Sequence, residues 1–371
     1  MVEKCLKSLL VVVFAVFLSG FGAVQAQDHG VSPDQPNVAV AHPAGGEHGA
    51  GEKLDPGKLI IEHVQDSHEW HFFTLGNFHG TIPLPVVLYS PTKGLSVFSS
   101  SRFHHGDYNG YNLHDNKITA VDGSKVYDFS LTKNVVQMLL AIITLILIMT
   151  SIAKKYAKGT GVKTAPTGFQ NAVEPVITFV RDEVAKPNLG KKWKKYLPYL
   201  LTVFFFILIN NIFGLLPGAA NVTGNINFTL VMAVISLIVI LLSTNSHFWG
   251  HIFWPPGVPL GVKLILIPIE FVSIFIKPAA LMIRLFANMI AGHIIILSFV
   301  SLIFIFGAMN KIAGIGFSPV SVLFTVFIYC IEILVAFIQA FIFTNLTAVF
   351  IGQAFEGSHD DVDGHAEPVI I

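Results

Sequence analysis

Over the second two-thirds of the chain, apolar residues gather into long stretches broken by short polar connections. Five stand out, at about 134–153, 197–216, 229–247, somewhere within 264–306, and 320–351. About 20 helical residues cross a hydrocarbon core of about 30 Å, so each reads as a membrane-spanning helix. The fourth stretch is too long. From Leu264 to Phe306 it would make about 65 Å of helix at 1.5 Å per residue. A hairpin turning near Lys277 and Pro278 would fit it, and so would one strongly tilted helix, because membrane helices tolerate proline.

The pattern before the first span is different. Lys4 and Lys7 precede "SLLVVVFAVFLSGFGAV", and "AVQA" offers a small-residue cleavage site after Ala26. Residues 1–26 therefore read as a signal peptide, with a retained membrane anchor as the alternative. Either way, residues 27–130 start outside the cytoplasm. Up to Lys58 this region is rich in Gly, Pro, His and acidic residues, a composition that predicts disorder. Beyond it, "WHFFTLG", "IPLPVVLYS" and "GSKVYDFSL" predict short strands. Between the first two spans, "FQNAVEPVITFVRDEVAK" sets Val173, Val176, Ile177, Val180 and Val184 at helical spacing, predicting an amphipathic helix on the membrane surface.

Charge orients these elements. Lysines crowd the connection between the first two spans, which places it in the cytoplasm. The uncharged loop "GAANVTGNI" suits the outside. Residues 131–355 then form a membrane-embedded domain, and the acidic tail 356–371 ends in the cytoplasm. Composition agrees: 53% of residues are hydrophobic and 12% charged, against about 25% charged in soluble domains. The expected fold class is an all-α polytopic membrane protein with five spans, embedded in lipid. A net charge of zero argues against nucleic acid as a partner. Cys5 and Cys330 give no disulfide framework and no metal-ligand spacing. Ten of the 15 histidines lie in the N-terminal third without a paired i, i+4 motif, so they read as solvated loop residues rather than metal ligands. No cofactor is expected.

Inside the apolar spans, a few polar residues stand out. "ALMIRLFANMIAGHIIIL" holds Arg284, whose charge is permanent and costs roughly 3 kcal/mol at a bilayer centre. Asn288, at i+4, shares its face. His293 lies about 13.5 Å further along the axis, with Lys277 and Glu270 about 10.5 and 21 Å the other way. The fifth span adds Glu332 and Gln339, two turns apart on one face. With the two spans antiparallel and Gln339 level with Arg284, Glu332 and His293 reach a similar depth on the external side, about 10.5 and 13.5 Å out. The structural alternatives are amides acting as packing glue, a satisfied core histidine, and an Arg284–Glu332 salt bridge.

"IRLFANMIAGHIII" together with "IEILVAFIQAFIFTNLTAVFI" resembles subunit a of F-type ATP synthases, over about residues 128–355. The resemblance implies a stator subunit facing a rotating c-ring, with Arg284 as the essential stator charge. It carries the family's helix Asn, second-helix Gln and cytoplasmic-side Glu onto Asn288, Gln339 and Glu270. One departure stands out: the well-known bacterial pattern has Glu where this chain has His293, and His where it has Glu332. It also implies that the overlong stretch is one tilted helix following the rotor.

The function so implied is proton translocation through two offset half-channels that protonate and deprotonate c-ring carboxylates, kept apart by Arg284. This chain would do no bond chemistry. Implied partners are the c-ring subunits, the peripheral-stalk subunit b and the rest of the complex, in a bacterial inner membrane. Protons rather than sodium follow from the His–Glu pair and the lack of an evident multi-oxygen site. A proton-coupled secondary transporter is the rival reading, although no internal repeat of the kind such transporters use is visible. A third reading makes the chain a receptor or assembly factor that works through its external region, which the resemblance leaves unexplained.

Overall fold

The computed structural model describes residues 66–355, apart from 76–77, 115, 160–167, 217, 245 and 254–258. The signal peptide, the disordered segment up to Lys58 and the acidic tail, all expected from sequence, lie outside the described residues.

Three small antiparallel sheets precede the helices. β1 (Glu69–Leu75) pairs with β2 (Phe78–Pro83). β3 (Pro85–Ser90) lies between β4 (Gly94–Ser99) and β7 (Tyr127–Asp128). β5 (Tyr111–His114) pairs with β6 (Lys117–Ala120). β3 alternates as a half-buried strand should, turning Val86 and Leu88 onto Tyr111, Ile118 and Ala120 to form a small core. Gly94 closes the β3–β4 hairpin at φ 74°, a left-handed conformation that glycine adopts without a Cβ penalty. The three strand segments expected from sequence are present, but β4, β5 and β6 were not anticipated. Their alternation is short and interrupted by polar residues, so each gains its apolar partners only by folding onto β3.

His68 departs from the solvated-histidine expectation. It is buried, and its Nε2 donates to the Asp128 carboxylate at 2.8 Å. Burial alone would raise the Asp128 carboxyl. The His68 hydrogen bond and charge, with the Ser130 hydroxyl and amide, outweigh this and leave it below the usual carboxylate range. Asp66 goes the other way. Burial pushes its carboxyl up, although it accepts hydrogen bonds from the Ser67 and Asn134 amides. The Asn134 amide lies in the first turn of α1, so Asp66 ties the sheet region to a helix N-terminus, where a carboxylate is favourable.

Among the described residues, seven helices follow. α1 (Lys133–Ala157), α3 (Trp193–Leu215), α6 (Leu260–Met309) and α7 (Lys311–Phe355) are long and apolar enough to cross a membrane. The third expected span, α4 (Ile226–Leu242), has 17 residues, about 25 Å of helix and the short end of the crossing range. α5 (Ser246–Phe253) is short. α3 is apolar on every side and correspondingly buried, with α1, α4 and α7 around it. α6 runs unbroken through Pro268 and Pro278 for 50 residues, about 75 Å. Of the two readings left open by periodicity, the hairpin is therefore ruled out.

α2 (Phe169–Phe179) continues through a widened turn at Val180–Ala185 and a last turn at Lys186–Leu189. The widening precedes Pro187, whose missing N–H leaves a carbonyl one turn back without a helical donor. The helical spacing read from sequence is correct, but the apolar face meets protein. Val173, Val180 and Val184 are buried, and Phe179 packs its ring 5.3 Å from Phe341 of α7. Asn188 donates to Asn345 at 2.8 Å, locking this segment onto α7.

Asp128 and Asp66 have opposite pH signatures. Stability from Asp128, whose carboxyl is lowered on folding, is present above the ordinary carboxylate range and is lost as pH falls through its lowered value. Stability from Asp66, raised on folding, is present at low pH and is lost as pH rises through its raised value. Asp128→Asn is expected to weaken protection of the sheet region from proteolysis at pH 7 by about 1–3 kcal/mol. The difference from wild type should shrink as pH falls below about 4. Equal protection at pH 7 would remove this role from the pair.

Candidate functional site

α6 has two unlike faces. Leu281, Leu285, Met289, Gly292 and Ile296, spaced three and four apart, are buried in the bundle. The other face is exposed and apolar, with Ile276, Ala280, Ile283, Ala287, Ala291 and Ile295 along it. Arg284 and Asn288 stand exposed within this face, one turn apart as their spacing predicts.

α7 runs alongside α6 and supplies the other polar residues. Asn288 Nδ2 donates to Gln339 Oε1 at 2.8 Å, and Gln339 is only 2% exposed. Gln339 thus sits level with Asn288, one turn from the Arg284 level expected from sequence. There one amide–amide hydrogen bond, the Gln339 carboxamide oxygen accepting from the Asn288 N–H, sets the level. Glu332 is 9% exposed, and its carboxylate lies over Gly292. A Cβ at that position would overlap Glu332 Oε1, so any larger residue there would have to displace the carboxylate. The half-buried His293 is the next residue along α6. Acid and imidazole therefore share a depth, as the axial arithmetic predicted.

Arg284 is eight residues, about 12 Å, from Gly292 along the helix. Among the described residues no ion pair joins Arg284 to Glu332, so the salt-bridge alternative fails. Glu270 is not brought to this group. It is half-buried about 21 Å from Arg284 on the far side. Between them, Lys277 bonds Gln353 at 3.2 Å and sits 4.9 Å from the centre of the Phe350 ring, in a small cleft with Ile240, Phe248 and Ile274.

Several polar residues around Glu332 escaped the sequence reading. On α3, Asn211 donates to the Ala336 carbonyl at 3.2 Å, one turn from Glu332 on α7. Tyr329, three residues before Glu332, donates to the Leu215 carbonyl at 2.8 Å. Next comes the α3–α4 loop, where Ala220, Asn221, Val222 and Thr223 are all buried. Asn210 Oδ1, Asn211 Oδ1, Asn221 Nδ2 and Thr223 Oγ1 are buried polar atoms without a protein partner among the described residues. Such atoms normally satisfy themselves with water, so this flank of Glu332 is suited to hydration. The signal was legible: "INNIFG" puts two adjacent amides in an otherwise apolar span.

The groups gathered here differ in their proton chemistry. A carboxyl and an imidazole can each take and release a proton, whereas a guanidinium cannot. Among the described residues no three His, Cys, Asp or Glu side chains gather as a metal site.

Comparison with known proteins agrees with the motifs. The family described as ATP synthase A chain matches residues 135–352, and a domain of unknown function (DUF8433) matches residues 59–138. The chain is 39% identical to ATP synthase subunit a of Chloroherpeton thalassium, over 84% of this chain and 82% of the relative. It is 37% identical to that of Chlorobium phaeobacteroides, over 96% and 93%. It is 35% identical to that of Anaeromyxobacter dehalogenans, over 93% and 87%. With its apolar spanning helices and its matched motifs on α6 and α7, this multi-pass membrane protein belongs to the ATP synthase A chain family.

Proposed function

We propose that the chain is the proton-translocating stator subunit of a rotary F-type ATP synthase, with the exposed face of α6 turned toward a ring of carboxylate-bearing rotor subunits. The observation that carries this reading is Arg284, a permanent cation exposed in the middle of a long apolar helix face. Facing lipid, that cation would be costly. Facing rotor carboxylates, it is matched, and the Asn288–Gln339 pair adds polar groups one turn further along the helix.

The sheet region is then external, and the lysine-rich end that includes α2 is cytoplasmic. Protons enter from the sheet side along the buried amides of α3 and the α3–α4 loop to Glu332 and His293, and pass to a rotor carboxylate. After nearly a full turn that carboxylate approaches Arg284 from the other side. The cation favours its ionised form, and the proton leaves toward the cytoplasm past Lys277 and Glu270. Direct connection of the two paths would leak protons without rotation, and Arg284 blocks that connection. Each charge crossing 100 mV gains about 2.3 kcal/mol, and the offset of the paths turns that gain into a rotational bias. The length of α6, about 75 Å, calls for strong tilt within the bilayer and gives a long front for the rotor. Subunit b and the remaining subunits would contact the rest of the bundle.

Arg284→Ala is expected to abolish ATP-driven proton pumping and coupled synthesis in inverted vesicles. Arg284→Lys should also largely fail, because an ammonium can lose its proton when desolvated and lacks the planar fork. Near-normal coupled synthesis in the Lys variant would sink the assigned role.

For the Glu332–His293 level, four proteins should be compared: wild type, His293→Glu, Glu332→His and the double exchange. Two nearby carboxylates raise one pKa and slow transfer, and two imidazoles leave no acid. The double exchange should therefore pump faster than either single variant. Defects that simply multiply would mean independent sites. Gly292→Ala, which would displace the Glu332 carboxylate, should slow pumping at least about tenfold, roughly 1.4 kcal/mol of barrier. A normal rate would show that the seat on Gly292 is dispensable.

A further inference from the structure

The sheet region is joined to the bundle at a consequential place. Trp70 in β1 donates its indole N–H to the Gly218 carbonyl at 2.8 Å. Two residues on, Ala220 is held twice by Gln137 of α1: its amide donates to Oε1 at 2.7 Å and its carbonyl accepts from Nε2 at 2.5 Å. Tyr329 of α7 holds the same loop at Leu215. Within the loop, Asn221 Oδ1 accepts from the Gly224 amide at 2.9 Å. The α3–α4 loop is therefore gripped from three directions, and one grip comes from outside the membrane bundle.

Position gives this loop its importance. The backbone of Gly214, where it leaves α3, is so close to α6 that an added Cβ would lie 3.3 Å from Met289 Cε and 3.8 Å from Asn221 Oδ1. Met289 is one turn from Gly292, the seat of Glu332. Thr223 and Asn221 add buried polar atoms that have no protein partner among the described residues. A small shift of the loop would therefore change the polar wall beside Glu332 without touching Glu332 itself.

We propose that the sheet region is a positioning clamp for the α3–α4 loop, and that Trp70 is a positioning residue for proton entry from the sheet side. The proposal rests on the half-channel reading above. It gives the N-terminal region a task beside Gln137 and Tyr329 of the membrane helices, with its own contact reaching the loop from the sheet side. His68–Asp128 and the Asp66 bonds to α1 serve the same end, fixing β1 relative to the first helix so that Trp70 is delivered at a set height.

Trp70→Phe keeps an aromatic ring but removes the N–H donor together with the fused five-membered ring; Trp70→Ala removes the aromatic side chain altogether. Each would be made in the intact complex in sealed vesicles, and ATP synthesis followed while pH is varied on one side at a time. The expected result is a several-fold rise in the proton concentration needed for half-maximal rate on the sheet side, larger for Ala than for Phe. Dependence on pH at the opposite side should stay unchanged, as should the amount of assembled complex in the Phe variant. No shift in the Phe variant on either side overturns the clamp. So does an equal shift on both sides, or a rate that merely tracks a fall in assembled complex. Arg284→Ala keeps the two ideas separable. Coupled synthesis surviving that change defeats the stator reading itself, whereas Arg284 dependence without a sidedness effect at Trp70 defeats only the clamp.

Discussion

A carboxylate buried against a glycine governs how the two longest helices meet. Glu332 lies inside the α6–α7 contact with its carboxylate against the bare backbone of Gly292, and the Asn288–Gln339 bond fixes the next level down. These two contacts set the relative height of helices about 75 and 68 Å long. They also decide which residues of α6 are turned away from the bundle. Burying Glu332 against α6 leaves Arg284 on the open face, so an ionisable acid and a permanent cation lie about 80° apart around one helix. The buried acid and the exposed cation both follow from that single packing choice.

Much of this was legible from spacing. The period of 3.6 placed Arg284 with Asn288 and Glu332 with Gln339, and rise per residue put His293 and Glu332 at one depth. What spacing could not supply was register. Gln339 is opposite Asn288 rather than Arg284, because register between two helices is settled by side-chain fit and not by either sequence alone. The glycine seat was invisible for the same reason: a glycine in a run of "MIAGHIII" has no meaning until a partner approaches it.

The sheet region and α2 show a different limit. The valines of α2 advertise an apolar face but not what covers it, and protein took the place expected for lipid. In β4, β5 and β6, four to six residues carry too little alternation to be recognised alone. His68 looked like one more loop histidine because its partner, Asp128, is 60 positions away. Long-range pairings of this kind are where one-dimensional patterns stop being informative.

The junction between α6 and α7 is a single residue, Asn310. Near it the chain folds back so closely that an added Cβ at Gly314 would fall 2.6 Å from the Gly307 Cα. Length changes have no slack there. Adding or losing one residue would turn α7 about its own axis by about 100°, swinging Glu332 off its glycine and Gln339 away from Asn288 together. The hairpin tip is therefore a place where insertions and deletions are read out some 30 Å away. Divergence in this chain is freer to accumulate in the sheets, whose hairpins can lengthen without disturbing the register of the long pair.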